Sequence, residues 1–218
     1  METYSSLRGV EGLVHGFITR HPDIDVKTDR DTALRRLEEH HIEQLAALGI
    51  DRKHLATGEQ VHGNHVEAID PAGEAIGERF SETDGLVTRS AGQFLGVFVA
   101  DCGAVFFADP VAKACAVVHS GKKGTELGIS KEAIRMMGER YGTKPENLIV
   151  QLAPCIRPPV YEIDFAAQIL RDCIEAGVPA PQVYDCGVCT SSDPERYYSY
   201  RIEMGKTGRL FAVIGFQA

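Results

Sequence analysis

Apolar and polar positions alternate along this chain with two different periods, and the change of period marks the elements. Over 31–48, Leu34, Leu37, Leu45 and Leu48 fall on one face of a 3.6-residue repeat. Asp31 is a candidate cap and Gly49 a stop, so an amphipathic helix is expected there. Residues 94–100 (Phe-Leu-Gly-Val-Phe-Val-Ala) form an unbroken apolar run, the mark of a strand buried on both faces. Further strands are expected over 104–108, over 114–118 ending at His119, over 148–153 and over 209–216. The segment 54–68 reads as a strand on each side of Gly63-Asn64. A helix is expected from Gly121 and Gly124 to Tyr141, with Ile129, Ala133, Ile134 and Met137 on one face. Another, capped by Asp164, carries Phe165, Ile169, Leu170, Cys173 and Ile174 and stops at Gly177. Strands and helices alternate, but several strands are hairpin neighbours. The expected fold class is therefore α+β, a mixed sheet layered with helices, as one domain over residues 1–218.

Composition narrows the function classes. Hydrophobic residues are 44% and charged residues 25%, ordinary for a globular chain, and the formal charge is 23 − 31 = −8. An acidic chain without a basic cluster argues against nucleic acid and anionic membrane as partners. The apolar runs are strand-sized and no signal segment opens the chain, so a cytoplasmic protein, monomeric or weakly dimeric, is expected. Six cysteines without a secretory signal do not read as a disulfide framework; Cys115 and Cys173 lie in apolar stretches and are expected to pack as small hydrophobes.

Three strand ends carry candidate metal ligands: His62 in Gln60-Val61-His62-Gly63, Cys102 in Ala100-Asp101-Cys102, and His119 in Val118-His119-Ser120-Gly121. Two imidazoles and a thiolate leave a fourth coordination position open, the ligand count of a catalytic zinc site. The same residues admit a metal-free reading, with Cys102 as nucleophile, His119 as base, and Asp101 or Gln60 nearby. Asp101 serves equally well as a group that orients or moves a proton and as a strand-end cap. Cys186-Gly187-Val188-Cys189 lacks the second pair a closed zinc site needs and reads as two loop thiols. His40 and His41 are expected to be solvated or half-buried on their helix, and His65 to face the surface. Gly121-Lys122-Lys123-Gly124 offers lysine to an anion but lacks P-loop spacing.

The ordered set of segments resembles the laccase-domain family, described both as polyphenol oxidases and as zinc-dependent purine nucleoside phosphorylases. It runs from His15-Gly16-Phe17-Ile18-Thr19-Arg20 through Gln60-Val61-His62-Gly63, Thr83-Asp84-Gly85-Leu86-Val87-Thr88 and Ala100-Asp101-Cys102. It continues with His119-Ser120-Gly121-Lys122-Lys123-Gly124, Ala153-Pro154-Cys155-Ile156, Tyr161-Glu162, Tyr198-Ser199-Tyr200-Arg201 and Thr207-Gly208-Arg209. The resemblance implies His62, Cys102 and His119 as metal ligands; from residue chemistry, Asp101 joins Cys102 and His119 as a candidate catalytic residue, and Arg20, Gln60 and Lys123 are candidate substrate-binding residues. It implies phosphorolysis of adenosine- or inosine-type nucleosides, with adenosine deamination as a further activity and a small-molecule nucleoside and phosphate as partners. Zinc is the expected ion and copper the second choice, since eight histidines without a His-x-His pair do not build a multicopper oxidase. A Cys-His hydrolase or deamidase and a catalytically dead binding protein are the alternatives. The chain departs from the family's His-Ala-Gly-Trp-Arg-Gly at Ser120, Lys122 and Lys123, and has His21-Pro22-Asp23-Ile24 in place of Gly-Gly-Val-Ser. Lys123 keeps a positive charge but loses the bidentate fork that suits phosphate.

Overall fold

The apolar strands pair into two mixed sheets, seen in a computed structural model that describes residues 1–71, 73–74 and 76–218. Eleven strands are found among the described residues: β1 (Leu13–Ile18), β2 (Leu55–Gly58), β3 (Val66–Ala68), β4 (Arg79–Phe80), β5 (Gly85–Thr88), β6 (Phe94–Val99), β7 (Gly103–Asp109), β8 (Ala114–Ser120), β9 (Ile149–Leu152), β10 (Val183–Asp185) and β11 (Leu210–Phe216). The helices are α1 (Ser5–Arg8), α2 (Arg30–Ala47), α3 (Lys122–Glu126), α4 (Ile129–Tyr141) and α5 (Phe165–Glu175). The first sheet has the order β1-β11-β6-β2-β4 and the second β10-β9-β7-β8-β5-β3. In the first, β11 is antiparallel to β1 and β6, whereas β2 runs parallel to β6 and β4. The fold class is α+β, as the alternation of elements predicts.

The layering follows from which faces are apolar. Phe17, Leu95, Val97, Val99, Ala212 and Ile214 of the first sheet meet Leu86, Phe106, Cys115 and Val117 of the second in one buried cluster. The opposite faces pack on helices. Leu45 of α2 joins Ile18, Leu55, Phe94, Phe211 and Val213. Ile129, Ala133 and Met137 of α4, with Phe165, Ile169 and Cys173 of α5, cover Val105, Phe107, Ala116 and Val118. Strands β7 and β8 are buried along their whole length, which is why their sequences show no alternation. Among the described residues no helix is long and apolar enough to cross a membrane.

Several expectations shift in detail. The cap of α2 is Asp29, whose carboxylate accepts from the Thr32 N–H at 2.9 Å, so the helix starts before Asp31. Strand β8 does not stop at Val118; Ala104 and Gly103 of β7 pair with His119 and Ser120, which makes His119 a strand residue. The single helix expected from Gly121 to Tyr141 is two, because Gly128 adopts φ +75° between α3 and α4. His41 is buried, at 6% exposure, against the rings of Phe98 and Phe211. The strand β1 and the short β4 and β10 are additions; β4 and β10, two and three residues long, carry too few positions to show a period.

Candidate metal centre

The three strand ends converge. The ligand atoms of His62, Cys102 and His119 all lie within 4.8 Å of one another, close enough for one ion to touch all three. The imidazoles sit nearly edge to face, with ring centroids 4.8 Å apart at 75°. Each arrives differently: Cys102 follows β6 through Ala100 and Asp101, His119 sits inside β8, and His62 lies in the loop after β2.

A buried carboxylate organises them. Asp84, fully buried beside β5, accepts from the backbone N–H groups of Val61, His62 and Gly63 at 3.0, 3.0 and 2.8 Å. Its Oδ1 lies 2.7 Å from His119 Nδ1, so His119 donates Nδ1–H and turns Nε2 toward Cys102. His62 is held with φ +61°, a left-handed conformation costly for a side-chain-bearing residue and fixed here by the Asp84 contacts. In the sequence Asp84 stands only as part of the Thr83-Asp84-Gly85 segment, with no role of its own. The available signal was an acidic residue immediately before a buried strand.

Charge completes the arrangement. Burial pushes the Cys102 thiol up, but the charge of His119 and hydrogen bonds from His119 and His62 outweigh it and bring the pKa to about 6. Burial pulls His119 down, yet Cys102 and Asp84 raise it to about 9. Burial opposes ionisation of Asp84; hydrogen bonds from His119, Gly63 and Val61 hold the carboxyl below its usual range. A cysteine ready to lose its proton, an imidazole with a fixed tautomer and a second imidazole are the donor set a borderline-soft divalent ion takes. Gly121 is required beside them, since a Cβ there would lie 2.5 Å from Cys102 Sγ.

The remaining candidate residues are placed around this centre. Asp101 is 7% exposed, with φ +81°; Oδ1 accepts from Thr190 Oγ1 at 2.6 Å and Oδ2 from the Arg201 N–H at 2.7 Å. Its carboxylate ties two loops to the strand end, which is the cap reading of that residue. Gln60 donates to the Phe98 carbonyl at 2.6 Å and accepts from the Phe98 N–H at 2.9 Å, extending the sheet by a side chain. Arg20 donates to Glu203 and to the Pro194 carbonyl and lies 4.6 Å from the centroid of the Tyr198 ring. Lys122 and Lys123 are exposed on α3. His65 is exposed beside Glu67, as expected. Cys115 and Cys173 are fully buried, and all six cysteines are free. Cys155 and Cys189 share an isolated bridge of backbone pairing. Among the described residues Cys186 and Cys189 belong to no His/Cys/Asp/Glu group able to hold an ion.

Comparison with known proteins agrees with this geometry at the level of family and fold. The family model described as multi-copper polyphenol oxidoreductase laccase matches residues 25–172 and 161–217. A purine nucleoside phosphorylase of Deinococcus radiodurans is 30% identical over 211 residues, covering 86% of this chain and 80% of the relative. The purine nucleoside phosphorylase YlmD of Bacillus subtilis is 28% identical over 193 residues, covering 73% of this chain and 69% of that protein. The crystal structure of a Bacillus licheniformis hypothetical protein, YfiH, superposes with a TM-score of 0.85 at 21% identity, covering 96% of this chain and 95% of that one.

Proposed function

Because this chain belongs to the multi-copper polyphenol oxidoreductase laccase family, we propose that it is a zinc-dependent purine nucleoside phosphorylase acting on adenosine- or inosine-type nucleosides. The observation that carries this reading is the buried Asp84 bridge, which orients His119 and the His62 loop toward Cys102 before any ligand arrives. The relatives named as purine nucleoside phosphorylases supply the substrate class.

His62, Cys102 and His119 would hold the ion, leaving a position open to substrate. When bound, zinc would supply Lewis acidity toward a substrate oxygen, without redox chemistry. Asp84 accepts from His119 Nδ1 and so turns Nε2 toward the site. Asp101 holds the 199–203 and 190 loops against Cys102, which fixes the wall that substrate meets. Gln60 locks the turn carrying His62 to β6, and Lys123, exposed on α3, offers a positive charge to substrate. Arg20 fixes the neighbouring loop through Glu203.

A second reading has its own observation. Cys102, His119 and Asp84 form a hydrogen-bonded series of thiol, imidazole and carboxylate, the arrangement that activates a cysteine nucleophile without metal. One experiment separates the two. Zinc-loaded and chelator-stripped protein are incubated with adenosine and inosine, with and without inorganic phosphate, and the free base is quantified. Base release that needs both zinc and phosphate supports the phosphorylase. Full turnover by stripped protein would sink the zinc reading and favour the thiol enzyme; inosine formed from adenosine without base release would indicate deamination.

A further inference from the structure

Two cysteines outside the metal centre face each other across a short ribbon. One follows β9 and the other follows β10, the strand parallel to it. The pairing carries on past both strand ends. The Cys186 N–H donates to the Leu152 carbonyl at 3.2 Å, the Cys155 N–H to the Val188 carbonyl at 3.3 Å, and the Thr190 N–H to the Cys155 carbonyl at 3.2 Å. The last two bonds bracket Cys189, which therefore stands directly opposite Cys155 in a parallel bridge. Neighbouring strands lie about 4.8 Å apart, inside the roughly 4.4–6.8 Å that a disulfide spans between Cα atoms.

The two side chains also share a face. Cys155 is fully buried in the cluster that α4 and α5 cover, and half-buried Cys189 packs against that same cluster. Cys186 packs instead, with Val188, against the cluster between the two sheets. Nearness in sequence would pair Cys186 with Cys189; the fold pairs Cys155 with Cys189. The two thiols differ in access. Cys189 Sγ lies 3.0 Å from Ser191 Oγ, a hydroxyl able to donate to a thiolate, and the residue is open to solvent in part. Burial keeps Cys155 protonated by pushing its thiol up, against the opposing charge of Arg157. Among the described residues neither cysteine belongs to a three-ligand group able to hold an ion, so no metal competes for the pair.

We propose that Cys155 and Cys189 form a reversible dithiol–disulfide site oxidised by hydrogen peroxide. Cys189 Sγ attacks one peroxide oxygen, the O–O bond breaks, and a sulfenic acid and water result. Cys155 Sγ then attacks Cys189 Sγ. The S–S bond forms, the S–O bond breaks, and hydroxide leaves with the Cys155 proton as a second water. The pair loses two electrons and two protons, and one peroxide becomes two waters. A dithiol reductant restores both thiols. The residue after each cysteine holds the segment that carries Cys102: the Ile156 N–H donates to the Asp101 carbonyl at 2.8 Å, and Thr190 Oγ1 to Asp101 Oδ1 at 2.6 Å. The bond therefore closes next to the metal centre without consuming a metal ligand. This inference stands apart from the phosphorylase reading.

The test treats zinc-loaded protein with hydrogen peroxide, then denatures it, alkylates it with iodoacetamide and digests it without reduction for mass mapping. Two of the six thiols are expected to escape alkylation, with the intact mass lower by two hydrogens. The peptides carrying Cys155 and Cys189 should appear joined, and separate again after a dithiol is added. Cys155→Ser and Cys189→Ser should each abolish the joined peptide, whereas Cys186→Ser should form it as wild type does. Should Cys155→Ser fail to fold, Cys189→Ser and the wild-type map carry the test. A link between Cys186 and Cys189 would overturn the site. So would six thiols still open to alkylation, or a Cys189 that ends as a sulfinic acid while Cys155 remains alkylated.

Discussion

Two regions of this molecule bury cysteine and histidine, and they treat them in opposite ways. At the rim where β6 and β8 end, Cys102 is brought down to about 6 and His119 up to about 9, because each supplies the charge the other needs and Asp84 anchors His119. Within the sheets, Cys115 lies in the apolar core, and burial, against a backbone hydrogen bond at Phe216, pushes it up to about 12. Burial likewise draws His15 and His41 down to about 4. His15 accepts from the Tyr4 N–H at 2.8 Å, and His41 Nε2 has no partner at all. Burial is therefore not what makes a residue reactive here. The difference is whether a second ionisable group was buried with it.

The largest effect should come from breaking the rim. His119→Ala or Cys102→Ala should abolish stoichiometric metal binding, whereas Asp84→Asn, which keeps the ligands but weakens their orientation, should cost about 10- to 100-fold in affinity. Chelator competition with a chromogenic metal indicator measures both; an Asp84→Asn protein with wild-type affinity would show that the ligands need no support. The same carboxylate carries fold stability. Asp84→Ala strands three backbone N–H groups and a buried imidazole, and should lower unfolding free energy by about 3–5 kcal/mol in urea titrations.

Acid should reveal the other region. His15 and His41 are neutral when folded and bind protons near 6.5 when unfolded, so the unfolded chain takes up more protons between pH 6.5 and 4. Stability is fully present above pH 6.5 and should fall by about 1.4 kcal/mol per pH unit for each histidine across that window. Asp84 has its folded pKa depressed instead, so its contribution is lost only below about pH 4, the unfolded carboxylate range. His41→Phe should remove one proton from the slope; an unchanged slope would mean that His41 is not neutral in the folded protein. The smallest expected difference is one of rate. In metal-free protein, iodoacetamide should alkylate Cys102 with a half-maximal rate near pH 6 while Cys115 stays unmodified, as mass mapping of the labelled peptides would show. Equal labelling of the two thiols would erase the contrast.

Much of this was legible in the chain. The periods placed α2, α5, β6, β7 and β11 within a residue or two, because each element has one partner layer that dictates its apolar face. The three ligand candidates were identified by residue type and by position after apolar runs. What the sequence could not give was the role of Asp84, since an Asp before a strand looks alike whether it faces water or three backbone N–H groups. The break in the helix after Gly121 was hidden because one glycine fits both a continuous helix and a left-handed turn.

The sequence by itself determined the α+β class, the longer strands and helices, and a short set of groups able to bind a metal, because periodicity and residue chemistry are local properties. Tertiary structure decided which of those groups became a site. It brought Cys102 to within reach of His62 and His119 and buried Asp84 against His119 and the His62 loop. Ionisation and orientation depend on distances between residues far apart in the chain, and those distances exist only once the two sheets have packed.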